Sequence, residues 1–176
     1  MNQKTALAMW DHLRQMNGIN MRLIAELPAD RLDSHPIPNM RTPKELTVHM
    51  YDLCIKGLAE GLVRGEIIDT ESAEKTIAAG IRSRDDLVKF ARDCWGSADR
   101  SMATVTDAHL SGTVKTPWPP HNAIPGSMVM GIISDEFLHH RGQLYAYVRA
   151  LGGTPPNVWD FANNTPEFQP KANAKA

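Results

Sequence analysis

From Val129, steps of four, three, four, four, three and four residues land on Ile133, Glu136, His140, Leu144, Tyr147 and Leu151. That is the period of one helix face, and the stripe is apolar except at Glu136 and His140. A stripe of this length has to be covered by other elements, so the last third of the chain is committed to a packed helix. The two polar members, spaced i, i+4, stack on that face. A carboxylate on an apolar stripe is costly unless paired or coordinated, which makes Glu136 and His140 candidate metal ligands.

Three earlier segments share the helical period. The first spans residues 5–27, with Leu7, Trp10, Leu13, Asn17, Met21, Ile24 and Leu27 in phase, and stops before Pro28. The run RLDSHPIPNM that follows reads as a rigid loop. The second opens at Thr42-Pro43-Lys44-Glu45, with Thr at the cap, Pro at the first helical position and Glu at the third. It carries Leu46, His49, Leu53, Leu58 and Leu62 to about Arg64, and Gly65 is placed to end it. The third is capped by Ser83 and carries Leu87, Phe90, Ala91, Cys94, Ala98, Met102 and Val105. Between the second and third, AEKTIAAGI predicts one short helical turn.

The stretch SGTVKTPWPPHNAIPG holds four prolines between Pro117 and Pro125 and cannot be a helix. A short strand pair at 113–115 and 122–124 is the expected order within it. The fourth helix spans 127–151 and stops at Gly152-Gly153. Beyond it the chain is extended, with Trp159 and Phe161 expected to dock on the bundle. The expected class is therefore all-α: an antiparallel four-helix bundle with a long Pro-rich insert before the last helix. One domain occupies residues 1–165, and 166–176 reads as a disordered tail.

With 42% apolar and 22% charged residues the chain sits among ordinary globular proteins. A net charge of -1 offers nothing for nucleic acid or an anionic membrane surface. No apolar run is long enough for a membrane span and none at the N-terminus suits a signal peptide, so the expectation is a cytoplasmic protein. Cys54 and Cys94 lack zinc-type or CxxC spacing and read as reduced, partly buried thiols packing as small apolar residues.

His49, mid-helix in ELTVHMYDLCIKGL, is the third candidate ligand. His49, Glu136 and His140 from two helices would form a three-ligand site with open positions, as catalytic zinc sites do. Asp135 and His139 are the rival i, i+4 pair, about 100° around the helix, and read as a partly solvated pair or as a contact behind the ligands. Gly142 suggests close approach by a neighbouring helix. Trp118 reads as a lid or packing residue, and His121, in the Pro-rich insert, as a proton donor overhanging the metal.

The capped helix RTPKELTVH, the insert with Trp and Pro, and the long helix with HHRGQL followed by LGGTPP resemble the DinB-like superfamily over about residues 5 to 160. That superfamily includes bacillithiol transferases and mycothiol-dependent maleylpyruvate isomerases. The resemblance implies a four-helix bundle, usually dimeric, whose divalent metal is held by one histidine of the second helix and two histidines i, i+4 on the fourth. By position these fall on His49, Glu136 and His140, with Glu136 where the family has histidine. A carboxylate oxygen suits zinc, nickel or manganese.

The expected function is a divalent-metal-dependent enzyme acting on a small molecule. Activated water would make it a hydrolase; an activated low-molecular-weight thiol would make it a transferase or isomerase, the direction in which the resemblance points. The alternatives are a non-catalytic metal-binding bundle of stress-associated type and a metal-free dimeric scaffold. A homodimer is expected from the resemblance together with the Met and Trp content of the first and third helices.

Overall fold

The computed structural model describes residues 1–119 and 122–171. Four long helical arms pack as an antiparallel bundle, in agreement with the all-α expectation. The first is α1 (Gln3–Ala25), capped by Asn2, whose side chain accepts from the Thr5 amide at 2.9 Å. The second is a continuous helix in three parts: α2 (Pro43–His49), a π-helical segment (Met50–Gly57) and α3 (Leu58–Arg64). Thr42 and Glu45 form the expected capping box, and Gly65, at φ 84°, ends the arm in a left-handed conformation that costs glycine nothing. The third is α5 (Arg84–Met102), capped by Ser83, and the fourth is α7 (Gly126–Ala150). Both α5 and α7 pack on the π segment, α1 and α3, so the π segment lies at the centre of the bundle.

Helical order exceeds the sequence expectation in two places. The single turn expected between the second and third arms is a ten-residue helix, α4 (Glu71–Gly80), lying on α2. Ahead of the hairpin a short helix, α6 (Asp107–Ser111), is capped reciprocally by Thr106 and His109. The hairpin pairs β1 (Thr113–Lys115) with β2 (Ala123–Pro125) antiparallel, with Val114 opposite Ile124. It is stitched to the end of the second arm, because Ile67 donates to the Lys115 carbonyl (2.8 Å) and Lys115 to that of Gly65 (3.0 Å). Gly126 starts α7 so close to α6 that a Cβ there would collide with the His109 carbonyl oxygen.

One end of the core is polar. Trp10 stacks on Trp95, centroids 4.6 Å apart, and its indole donates to Asp99 at 2.9 Å. Asp99 also accepts from Arg14 (2.5 Å) and Lys171 (2.9 Å). Deeper in, the Tyr51 hydroxyl donates to Asn17 (2.6 Å) and accepts from Asn20 (2.8 Å).

The segment from 166, expected to be loose, is packed as far as Lys171: Pro166–Phe168 is a short 3-10 turn and Phe168 is buried. Burial of that ring and the bonds of Lys171 to Asp11 and Asp99 outweigh the polar composition that suggested disorder. Upstream, Asn164 donates to the Gln15 carbonyl (2.7 Å) and Arg22 pairs with Asp160 (2.5 Å), laying the extended segment along α1. Phe161 packs on the core as expected, but Trp159 is 67% exposed and does not dock.

Candidate metal centre

The centre lies where the start of the π segment meets α7. His49 is the last residue of α2, Glu136 and His140 face it from α7, and the two imidazole rings meet edge to face with centroids 5.0 Å apart. The three residues singled out from the sequence are thus brought to one place. They are not equally buried: the His140 side chain is 6% exposed and that of Glu136 41%. The carboxylate comes in from the solvent side of the stripe, and its oxygen lies 3.1 Å from His140 Nε2.

Each histidine has its outer nitrogen fixed. His49 Nδ1 donates to the buried carboxylate of Glu74 at 2.8 Å, and His140 Nδ1 donates to Gln143 Oε1 at 2.8 Å. In a neutral imidazole that leaves the Nε2 lone pair facing the partner ring. His140 Nε2 is buried without a hydrogen-bond partner, because the Glu136 oxygen, although close, does not meet it at a hydrogen-bonding angle. A buried lone pair without a donor is costly, and a cation satisfies it. Burial, helped by the neighbouring His49 and opposed by Gln143 and Glu136, holds His140 below the usual histidine pKa, the direction that favours the ligating form.

A fourth group stands in the same place. Cys54 Sγ lies 3.6 Å from His49 Nε2 and 3.9 Å from Glu136 Oε2. One ligand atom each from His49, Cys54 and His140 falls within a span of 4.8 Å. Burial pushes the Cys54 thiol well up, and the charges of Glu136 and Glu74 add to this, so without a bound metal the sulfur keeps its proton. In an α-helix, residues five apart point about 140° away from each other. The π segment, bonded i to i+5, brings Cys54 back under His49.

Helical phase conceals Cys54 in the sequence, but Glu74 was readable. Glu74, Ile77, Ala78 and Ile81 form an i, i+3, i+4, i+7 face with a buried carboxylate at its head, the pattern that exposed Glu136. Beside Glu74 opens a cavity of about 310 Å³ lined by Met40, Arg41, Glu45, Glu74 and Lys75. Arg41 is near enough to oppose the upward shift of the Cys54 thiol, and its carbonyl accepts from the Tyr147 hydroxyl at 2.5 Å. The cavity is of small-molecule size.

The other candidates lie apart from this cluster. Asp135 and His139 are exposed; His139 touches the centre from outside, its ring 4.9 Å from that of His140 and its Nε2 accepting from the Gln143 amide at 3.1 Å. Gly142 is not a helix contact, since a Cβ there would meet nothing within 4 Å. Trp118 is 36% exposed. His121 lies outside the described residues.

The residues present fit a divalent metal: two oriented imidazoles, a thiol and a carboxylate, with one buried nitrogen lacking any hydrogen-bond partner. Among solved structures the chain is similar to a DinB-like protein from Bacillus subtilis, at 18% identity and TM-score 0.64, over 84% of this chain and 93% of that one. It is also similar to a crystallised variant of a mycothiol-dependent maleylpyruvate isomerase, at 14% identity and TM-score 0.58, over 90% of this chain and 66% of that one. At these identities the likeness establishes the fold. The comparison with curated proteins gives no match. The DinB family model matches residues 1–171, which takes in every arm of the bundle and the docked C-terminal segment, and the chain belongs to the DinB family.

Proposed function

We propose that this protein is a divalent-metal-dependent enzyme acting on a small molecule, with zinc, nickel or manganese held by His49, Glu136 and His140. The observation that carries the reading is the pair of Nε2 lone pairs, one of them without a hydrogen-bond partner, presented by imidazoles whose other nitrogens are tied to Glu74 and Gln143. Such outer hydrogen bonds fix tautomer and ring orientation and raise ligand basicity. A bound metal would lower the pKa of a thiol or water beside it.

The chain's own residues supply the rest. Glu74 and Gln143 hold the imidazoles in register. Glu136, half-open to solvent, is the carboxylate on the side from which a substrate arrives. The cavity beside Glu74 is lined by two cations, Arg41 and Lys75, and two carboxylates, Glu45 and Glu74, a charge-balanced wall of a size that suits a small polar molecule. A low-molecular-weight thiol is the favoured substrate, supported by the DinB membership and by the thiol-dependent isomerase among the structural neighbours, and the reaction class is then transfer or isomerisation. Hydrolysis is the competing class for the same centre.

Among the described residues no helix is long and apolar enough to cross a membrane. The cytoplasmic location, the homodimer and a proton-donor role for His121 belong to the same proposal.

The test is metal content after purification without added metal, then turnover with a panel of thiols and electrophiles alongside hydrolysable esters and amides. The expected result is one divalent ion per chain and thiol-dependent turnover that is absent from His49→Ala and His140→Ala. Protein that takes up none of zinc, nickel or manganese would overturn the reading; turnover confined to the esters and amides would move it to hydrolysis.

A further inference from the structure

We infer that Cys54 is itself a metal ligand, and that the inner donor set is His49, Cys54 and His140, with Glu136 as the fourth, solvent-side donor. The inference rests on the metal reading above and deepens it.

The first argument is distance. Around a tetrahedral zinc, with Zn–S about 2.3 Å and Zn–N and Zn–O about 2.0–2.2 Å, donors stand about 3.6 Å apart for sulfur with nitrogen or oxygen and about 3.4 Å for nitrogen with oxygen. The corresponding separations are 3.6 Å for Cys54 Sγ with His49 Nε2, 3.9 Å for Cys54 Sγ with Glu136 Oε2 and 3.1 Å for His140 Nε2 with Glu136 Oε2. The donor atoms of His49, Cys54 and His140 lie within 4.8 Å of one another, so an approach of about 1 Å closes the set.

Burial and charge point the same way. The His140 side chain is 6% exposed and its Nε2, without a hydrogen-bond partner, borders the same space as Cys54. A divalent cation is offset by the Cys54 thiolate and the Glu136 carboxylate in its donor set, and the buried Glu74 carboxylate behind His49 further favours a positive ion there. On loading, the Cys54 S–H bond breaks, its proton passes to solvent and the sulfur lone pair bonds the metal. A thiolate donor favours zinc and other borderline-soft ions over manganese. It also leaves Glu136, 41% exposed at its side chain, as the donor an incoming small molecule would displace.

The probe is cobalt(II), added to the full-length protein after chelation. Wild type should show an intense thiolate-to-cobalt charge-transfer absorption in the near ultraviolet and should release one more proton per ion bound than Cys54→Ser. Cys54→Ser should still bind cobalt, about tenfold or more weakly, without that absorption, and Cys94→Ser should keep it. Stoichiometric cobalt binding by wild type without the absorption would overturn the role of Cys54 and leave the metal reading standing. The same holds if the absorption persists in Cys54→Ser. Failure of wild type to bind cobalt would overturn both. The wild-type spectrum decides the matter even if a variant fails to fold.

Discussion

Replacing Asp99 by Asn tests how the polar end of the bundle is held. Asp99 receives hydrogen bonds from Trp10 (2.9 Å), Arg14 (2.5 Å) and Lys171 (2.9 Å), joining α1, α5 and the C-terminal segment at one carboxylate. Burial alone would raise its pKa, but the bonds from Arg14, Lys171 and Trp10 outweigh that and hold it at about 2, against an ordinary 3.8. At about 1.36 kcal/mol per pKa unit the difference corresponds to about 2.4 kcal/mol. Part of the carboxylate and the Lys171 ammonium see solvent, with side chains 20% and 58% exposed, so screening reduces this to about 1–2 kcal/mol. For a chain of this size that is about 2–8 °C in melting temperature. The folded pKa is depressed, so the contribution is complete above about pH 4 and is lost as pH falls toward 2. The assay is thermal or urea unfolding of wild type and Asp99→Asn from pH 7 to pH 2. The gap between them should be constant near neutrality, narrow below about pH 4 and lose this contribution by about pH 2. A gap that does not change with pH would refute the assignment of the depressed pKa to this network.

Metal added at about a hundred times its dissociation constant should stabilise the fold by about 2.7 kcal/mol, read as a higher melting temperature that a chelator reverses; an unchanged melting temperature in metal-containing protein would count against a centre inside the bundle. Glu74→Gln should weaken metal binding about 10–100-fold by calorimetry, because a charged partner of His49 is lost, and affinity equal to wild type would remove Glu74 from the centre. His140→Ala should abolish binding, Glu136→Ala should weaken it and His139→Ala should leave most of it, since His139 is exposed and meets the centre only from behind, against Gln143 and the His140 ring; the reverse order would transfer the role to the Asp135 face. Gly126→Ala should cost about 1–3 kcal/mol in urea unfolding, as the new methyl group meets the His109 carbonyl, and a neutral result would mean that α6 yields freely.

The arms of the bundle were legible because their ends are written in local chemistry: Thr42-Pro43 with Glu45, Ser83, Gly65 and the prolines that break the insert. The hairpin at β1 and β2 was legible within one residue for the same reason. What stayed hidden depends on partners distant in sequence. Phe168 is buried because α1 offers it a surface, which composition does not reveal. Trp159, equally aromatic, finds no such surface and remains exposed. At the centre, phase arithmetic on α7 located Glu136 and His140, but it could not report that Glu136 sits at the solvent edge. Cys54 was missed because the arithmetic assumes 3.6 residues per turn, and the second arm departs from that over Met50–Gly57.

That departure makes the second arm unusually sensitive to a change in chain length. The wider turn accommodates residues that a regular α-helix would rotate about 100° each, and its surplus lies between His49 and the faces that Leu58 and Leu62 bury in the core. Deleting one residue between 55 and 57 would let the arm run as a regular helix, with His49 and the α3 face in about their present relation. Cys54, then five regular helical residues from His49, would turn about 140° away from it. An insertion or deletion is usually tolerated in a loop and disruptive in a core helix. Here a deletion that relieves the helix would take Cys54 out of the centre, so the spacing from His49 to Leu58 is as much a part of the metal site as the side chains that line it.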